Sequence, residues 1–335
     1  MKRFKVAVVG ALGAVGTQMI SILEERSFPV SEFVPLDAQI NVGKTVVFKG
    51  KKYRVQAAGK GAFAGVNLSL FAVGAEQSQK LAPLAIKEGC FVIDNSSAWR
   101  MDPEVPLIVP EVNPEAFIKN IGIIANPNCS TIQMLLVAKP IHDAFTIKRI
   151  VVSTYQAVSG SGTPAIMELT SQAKAFAADL PLVKSVYPKQ ILFNAIPQID
   201  DFLEDGYTKE EMKMVNETHK ILDPEIRVCP TAVRVPVYRG HSEALNIETI
   251  KPVTPQAVRS VLSEAKGVKL IDDPLKGEYP TVFDADGNDD VYAGRIRQDN
   301  SVANGINMWV VSDNLRKGAA LNAVQIAELV VKKGA

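Results

Sequence analysis

Three stretches of this chain set a reactive side chain in a local pattern that can activate it. In Asn126-Pro127-Asn128-Cys129-Ser130-Thr131, an apolar strand, Ile121 to Ala125, comes before and a helical pattern, Ile132 to Ala138, comes after. Cys129 thus stands at a helix N-terminus, where the dipole and unpaired N–H groups stabilise a thiolate. A thiolate can attack an acyl group, although a lone cysteine is commonly a small buried hydrophobe. Cys90 and Cys229, with apolar neighbours, fit that second role. In Arg234-Val235-Pro236-Val237-Tyr238-Arg239-Gly240-His241-Ser242-Glu243, the histidine lies between two strands. Val233, Val235 and Val237 face one side of the first strand and Arg234 the other. Arg234 and His241 can then meet at one strand end, a carboxylate clamp beside a general base. Taken apart they are a surface arginine and a loop histidine. His142 and His219 lie in helical or charged settings and read as structural or solvated.

The third stretch is Gly10-Ala11-Leu12-Gly13-Ala14-Val15-Gly16, spaced GxxGxxG between a strand and a helix. Small residues there let a backbone approach a pyrophosphate lying on the helix N-terminus, or let helix and strand pack closely. Asp37 follows the second strand and can accept from a ribose 2′-hydroxyl, which favours NAD over NADP; a turn aspartate is the alternative. Weaker signals surround these. Gln156 to Gly162, with Ser159 and Gly160, is a flexible loop at a strand end that suits an anion, a nicotinamide or a plain linker. Arg100, in Ser96 to Arg100, reads as a phosphate ligand or a surface charge. Thr208-Lys209-Glu210-Glu211 is a capping box opening a helix, on which Glu210 and Lys213, three residues apart on one face, read as a solvated ion pair. No metal is expected.

These residues need a scaffold. Phe4 to Val9 ends at glycine and is followed by Val15, Met19, Ile22 and Leu23 on one helical face. Further buried strands are read at Phe33 to Leu36, Leu68 to Val73, Phe91 to Ile93 and Ile121 to Ala125, with helix-length segments such as Gln77 to Lys87 between most of them. That alternation implies an α/β fold with a Rossmann-like parallel sheet. Beyond about residue 150, longer alternating strands such as Thr231 to Tyr238 and Ala244 to Ile250 imply a second, α+β domain with a largely antiparallel sheet. The expected division is 1–128, dinucleotide binding; 129–312, catalysis, substrate and dimerisation; and 313–335, a C-terminal helix returning to the first domain.

Of 335 residues, 37 are Lys or Arg and 36 Asp or Glu, a formal charge of +1, and 47% are hydrophobic. The balance excludes wholesale disorder and argues against nucleic acid or an anionic membrane as the main partner. Three cysteines cannot all pair, which points to a reducing compartment. Lys2, Arg3 and Lys5 before an apolar run imitate a secretion signal, but Gly10, Gly13 and Gly16 interrupt the run and a helix continues beyond it. No stretch approaches the roughly 20 apolar residues of a membrane span. The expected location is cytoplasmic.

Together, Gly10 to Gly16, Ser96 to Arg100, Asn126 to Thr131, Gln156 to Gly162 and Arg234 to Glu243 resemble the aspartate-β-semialdehyde dehydrogenase family over nearly the whole chain. Asn-Pro-Asn-Cys-Ser-Thr and Gly-His-Ser-Glu-Ala are the most specific parts. The resemblance implies an NADP-dependent homodimer that reversibly reduces β-aspartyl phosphate to aspartate semialdehyde and phosphate through a thioester. The reaction lies in the pathway to lysine and diaminopimelate, threonine and methionine. It further implies Cys129 as nucleophile, His241 as acid/base and Gln156 as the residue orienting the intermediate. Arg234 would hold the substrate carboxylate, Glu210 its amine, and Arg100, Asn128 and Lys213 the phosphate. Cofactor contacts would come from Gly10, Leu12, Gly13, Ala14, Val15, Gly16, Asp37, Gln39, Ser159 and Gly160, with Asn314 at the nicotinamide. The sequence departs from the family in two places. Leu12 stands where threonine is common. Asp37-Ala38-Gln39-Ile40-Asn41 replaces a Ser-x-Arg-Ser segment that holds the 2′-phosphate of NADP, so the local chemistry favours NAD. The alternatives are an N-acetylglutamyl-phosphate reductase-like enzyme and a non-catalytic dinucleotide-binding paralogue.

Overall fold

A computed structural model describes residues 3–117 and 122–333; Lys2 and Ile121, both used in the sequence reading, lie outside them. The chain forms two compact units, Met1–Pro127 with Ala319–Ala335, and Asn128–Gly318.

The first unit is wound on a parallel sheet. Its strands are β1 (Phe4–Val9), β2 (Val30–Asp37), β5 (Gln56–Ala57), β6 (Leu68–Phe71), β7 (Phe91–Asp94) and β8 (Ile123–Ala125), in the order β5-β2-β1-β6-β7-β8. A hairpin of β3 (Thr45–Phe48) and β4 (Lys51–Arg54) stands apart from the sheet. Helices α1 (Ala14–Glu25) and α2 (Ala75–Lys87) cross over between parallel strands. The central strands read as unbroken apolar runs because both faces are covered. Val6, Val8, Leu70, Ile93 and Ile124 share one core with Met19, Ile22 and Leu23 of α1 and with the final helix, Leu321–Lys333.

The second unit carries a mixed sheet of β9 (Ile147–Gln156), β10 (Arg227–Arg234), β11 (His241–Thr249), β12 (Val268–Leu270), β13 (Val291–Asp299) and β14 (Gly305–Ser312), ordered β10-β9-β11-β14-β13-β12. The three inner pairings are antiparallel and the two outer ones parallel. Its helices are α3 (Cys129–Phe145), α4 (Thr163–Ala177), α5 (Lys209–Ile221), α6 (Pro255–Ser263) and the short α7 (Val282–Ala285).

Three details differ from the sequence reading. The strand expected to reach Tyr238 stops at Arg234, because Pro236 has no N–H for a ladder and the Val237 N–H closes on the Val235 carbonyl across it. The next strand starts three residues early, so His241 is a strand residue and not part of a loop. Cys229 is exposed, its sulfur 3.9 Å from the Tyr207 hydroxyl, rather than buried.

Candidate active site

Strand register builds the centre of the second unit. Arg234 ends β10 opposite Gln156, which ends β9. His241 begins β11 opposite Ser312, which ends β14. The neighbouring Ser242–Tyr155 pair brings His241 beside Gln156. Directly paired residues share a sheet face, so Arg234, Gln156, His241 and Ser312 form a transverse row across four strands, all of it buried. Arg234 is on the inward side of its strand, while Val233, Val235 and Val237 are only half-buried.

The row is tightly bonded on one side and open on the other. Arg234 Nη1 donates to the Ala157 carbonyl at 2.7 Å. The Ala157 N–H donates to His241 Nδ1 at 3.0 Å. Arg234 Nε and His241 Nε2 are buried without a hydrogen-bond partner. Gly160 lies over both side chains: a Cβ there would sit 2.9 Å from Arg234 Nη1 and 3.3 Å from His241 Nε2. Burial, and then the Arg234 charge, push the His241 imidazole down to about 3, against the opposing pull of Glu210 and the Gly240 carbonyl. The ring is therefore neutral at physiological pH. Because Nδ1 accepts the Ala157 N–H, the hydrogen-bond network assigns its proton to Nε2.

Cys129 is a half-buried free thiol and the first residue of α3. Asn128 caps the helix, its Oδ1 accepting from the Ser130 and Thr131 N–H groups at 3.0 and 3.3 Å. Asn128 Nδ2 donates to Glu210 Oε1 at 2.9 Å, and Gln156 Nε2 reaches the same oxygen at 3.3 Å. Glu210 therefore joins the cap of the Cys129 helix to the strand-end row. Its other oxygen binds Lys213 Nζ at 3.0 Å, and Lys213 also holds Asp200 at 2.9 Å. Burial raises the affinity of Glu210 for a proton, but Lys213, Asn128 and Arg234 outweigh it and hold the carboxyl below its usual range. The ion pair is thus half in the interior, with Glu210 buried and the Lys213 side chain 25% exposed. Asn314 takes the Gly240 N–H at 2.9 Å and pairs with the Ser159 hydroxyl, bracing the Gly160 loop against the start of β11.

Two contributors escaped the sequence reading. Glu217 Oε2 accepts the Asn128 N–H at 2.7 Å, and it lies on the buried face of α5 with Glu210 and Lys213. The spacing 210, 213, 217 is a helical face, and that periodicity was the available signal. Gly318 packs on Cys129: a Cβ there would stand 2.9 Å from Cys129 Cβ. The other histidines are structural, His142 receiving the Ile147 N–H and His219 meeting the Ile226 carbonyl.

The remaining candidates belong to the first unit. Gly10 has φ +80°, and a Cβ would press on the Ala72 carbonyl oxygen at 2.4 Å; a Cβ at Gly16 would meet the Gly10 oxygen at 2.0 Å. Packing explains these two glycines. At Gly13 the nearest atom is 3.4 Å away, an ordinary contact, and α1 has no side-chain cap. The bare Gly13 and the first-turn amides of Ala14, Val15 and Gly16 thus fit an anion such as a pyrophosphate. Asp37 accepts from the N–H groups of Leu12 and Ala38 and from Asn41 Nδ2, at 3.0, 2.8 and 2.8 Å. Gln39 is exposed beside it. Arg100 is buried, with Nη2 on the Asn95 carbonyl at 2.9 Å. No group of metal-ligating side chains occurs among the described residues.

Residues 5–120 match the semialdehyde dehydrogenase NAD-binding domain family, and residues 138–317 the semialdehyde dehydrogenase dimerisation domain family. An aspartate-semialdehyde dehydrogenase of Aquifex aeolicus is 54% identical over 99% of both chains. One of Bacillus subtilis is 50% identical over 98% of this chain and 97% of its own. The solved structure of aspartate semialdehyde dehydrogenase II from Vibrio cholerae, complexed with ASA, covers 100% of both chains at TM-score 0.97 and 50% identity. With full-length relatives this similar and both domain families matched, the chain belongs to the aspartate-semialdehyde dehydrogenase family.

Proposed function

We propose that the enzyme reduces β-aspartyl phosphate to aspartate semialdehyde, reversibly, through a thioester on Cys129. The observation that carries this reading is the Glu210 carboxylate, which ties the cap of the Cys129 helix to the buried row of Arg234, Gln156 and His241. This link supports an anionic group for the substrate amine and a cationic one for its carboxylate at the same centre as the proposed nucleophile. That pairing suits a free α-amino acid and not an N-acylated one. A nucleophile and a proton donor are also more than a dinucleotide-binding paralogue needs.

In the first step the Cys129 sulfur bonds to the acyl carbon and the C–O bond to phosphate breaks. Arg100, Lys213 and Asn128 are the proposed phosphate ligands, Asn128 exchanging Glu210 for the leaving group. Gly10–Gly16 would hold the pyrophosphate of a nicotinamide dinucleotide, Ser159, Gly160 and Asn314 are the proposed contacts to its nicotinamide, and when bound the cofactor would supply the hydride. Gln156 and the His241 Nε2–H hydrogen-bond to the oxygen that becomes negative as the acyl carbon turns tetrahedral. Collapse restores the carbonyl and breaks the C–S bond. The departing thiolate is stabilised by the amides that open α3. Arg234 keeps the substrate carboxylate fixed throughout.

For the cofactor, the anionic Asp37 favours NAD and opposes the 2′-phosphate of NADP. The match to a dimerisation domain supports a homodimer. Three cysteines outside any disulfide support a cytoplasmic setting. The test is phosphate-dependent oxidation of aspartate semialdehyde with NAD and NADP in parallel, using Cys129→Ser as control. Turnover requiring both phosphate and Cys129 supports the reading. Dinucleotide binding without turnover on either cofactor refutes it.

A further inference from the structure

One buried acid in the second unit has no part in the chemistry above. Glu243 is two residues beyond His241 on β11, so it shares the inward face of the sheet one row below the His241–Gln156 row. Its side chain is fully buried, and neither carboxyl oxygen has a hydrogen bond. The polar group facing it is the Gln133 amide, whose Nε2 likewise has no partner. Gln133 is one helical turn past Cys129 on α3, the same helix face. Its Oε1 accepts the Ser312 hydroxyl at 2.7 Å, and Ser312 is the strand partner of His241.

We propose that Glu243 is a positioning residue: its carboxyl pairs with the Gln133 amide and fixes the opening turns of α3, and so Cys129, against the strand ends that carry His241 and Gln156. Burial pushes the Glu243 carboxyl well above the usual range, with Gln133 only partly offsetting it, which favours the uncharged acid. An uncharged acid can accept from Gln133 Nε2 without placing a carboxylate beneath the imidazole. Two facing orphan groups satisfy one another, whereas either left alone is a buried polar group with no partner. The inference rests on the reading of Cys129 as the nucleophile.

The experiment compares E243Q, E243L, Q133L and the E243L/Q133L double variant. It measures kcat and KM for aspartate semialdehyde, and the pH profile of Cys129 alkylation by iodoacetamide. E243L is expected to lower kcat by roughly 10- to 100-fold, the effect of a displaced reacting group, with little change in KM. It also slows alkylation at neutral pH. E243Q, uncharged and isosteric, retains kcat within about threefold. Q133L gives the same loss as E243L, and the double variant loses no more than either single one. Wild-type kcat and alkylation in E243L overturn the proposal, as do an E243Q loss equal to that of E243L or additive losses in the double variant. If E243L does not fold, E243Q and Q133L decide on the same two readouts. Alkylation also separates the two readings. Variants that shift it in a protein with no turnover refute the reaction and leave the positioning role standing.

Discussion

Gly160→Ala adds one methyl group in a place where two functional side chains must absorb it. The new Cβ would stand 2.9 Å from Arg234 Nη1 and 3.3 Å from His241 Nε2. Ordinary contact begins at 3.4 Å, so Arg234 must retreat by 3.4 − 2.9 = 0.5 Å and His241 by only 3.4 − 3.3 = 0.1 Å. Gly160 is not in the left-handed region, so alanine brings no backbone strain there. The guanidinium cannot swing away freely, because its Nη1 is held by the Ala157 carbonyl at 2.7 Å. A charge-assisted hydrogen bond contributes about 1.5–3 kcal/mol, and misplacing it by half an ångström forfeits roughly half of that, about 1 kcal/mol. The expected result is KM for aspartate semialdehyde raised by about 5- to 10-fold with kcat changed by less than about 3-fold. Folding stability should fall by about 1 kcal/mol from overpacking. Initial-rate kinetics with phosphate and cofactor saturating, with urea unfolding alongside, measures all three. A folded variant with wild-type KM removes Arg234 from the substrate site. A drop confined to kcat means that the methyl group disturbs His241 instead.

Cys129→Ala abolishes acyl-enzyme formation and lowers turnover by roughly 10³-fold or more while dinucleotide binding persists, as intact-protein mass and fluorescence titration would report. Asp37→Ser raises the NADP-to-NAD ratio of kcat/KM by roughly tenfold or more, since a carboxylate near a phosphate costs on the order of 1–4 kcal/mol. It also destabilises the first unit by about 1 kcal/mol by removing the acceptor of the Leu12 N–H. An unchanged ratio would leave the 2′ position to other residues. His241 has its folded affinity for protons depressed to about 3. Its contribution to stability is therefore complete above the unfolded value near 6.5 and declines as pH falls toward 3, by up to about 1.4 kcal/mol per pH unit. His241→Asn should flatten the stability curve over that window in urea titrations at stepped pH, and an unaltered slope would show that the imidazole is not held neutral by burial.

The elements that position the site were legible where one short-range rule decides them. The strand–glycine–helix opening, the capping box at Thr208 and the helix headed by Cys129 each follow from contiguous residues. They start in the structure close to where the sequence puts them, although the helix headed by Cys129 runs on past the expected Ala138 to Phe145. The turn at Pro236 should have shortened that strand: Pro236 offers no N–H and the Val237 N–H closes on the Val235 carbonyl, whereas Pro230, on the same edge strand, interrupts nothing. The error at Cys229 has a similar origin. Apolar neighbours in sequence say nothing of which face an edge strand turns to solvent, and β10 is an edge strand.

The site itself was harder to see because its geometry lies in the register between strands, which no local pattern encodes. Arg234, Gln156 and His241 were each visible, but their alignment into one row depends on β9 lying between β10 and β11. That arrangement is long-range. Register likewise hid Glu243, whereas the helical period was a signal for Glu217; both are buried acids on faces that alternation or helical period would assign to apolar residues. Such positions break the local pattern because another element must be tied there: Glu217 holds the N–H of Asn128, the cap of α3, and Glu243 faces Gln133 on the same helix. A polar residue that violates the burial pattern next to a recognised motif is accordingly better evidence of a positioning contact than of a fault in the element assignment, because burying it without such a contact costs on the order of 1–3 kcal/mol.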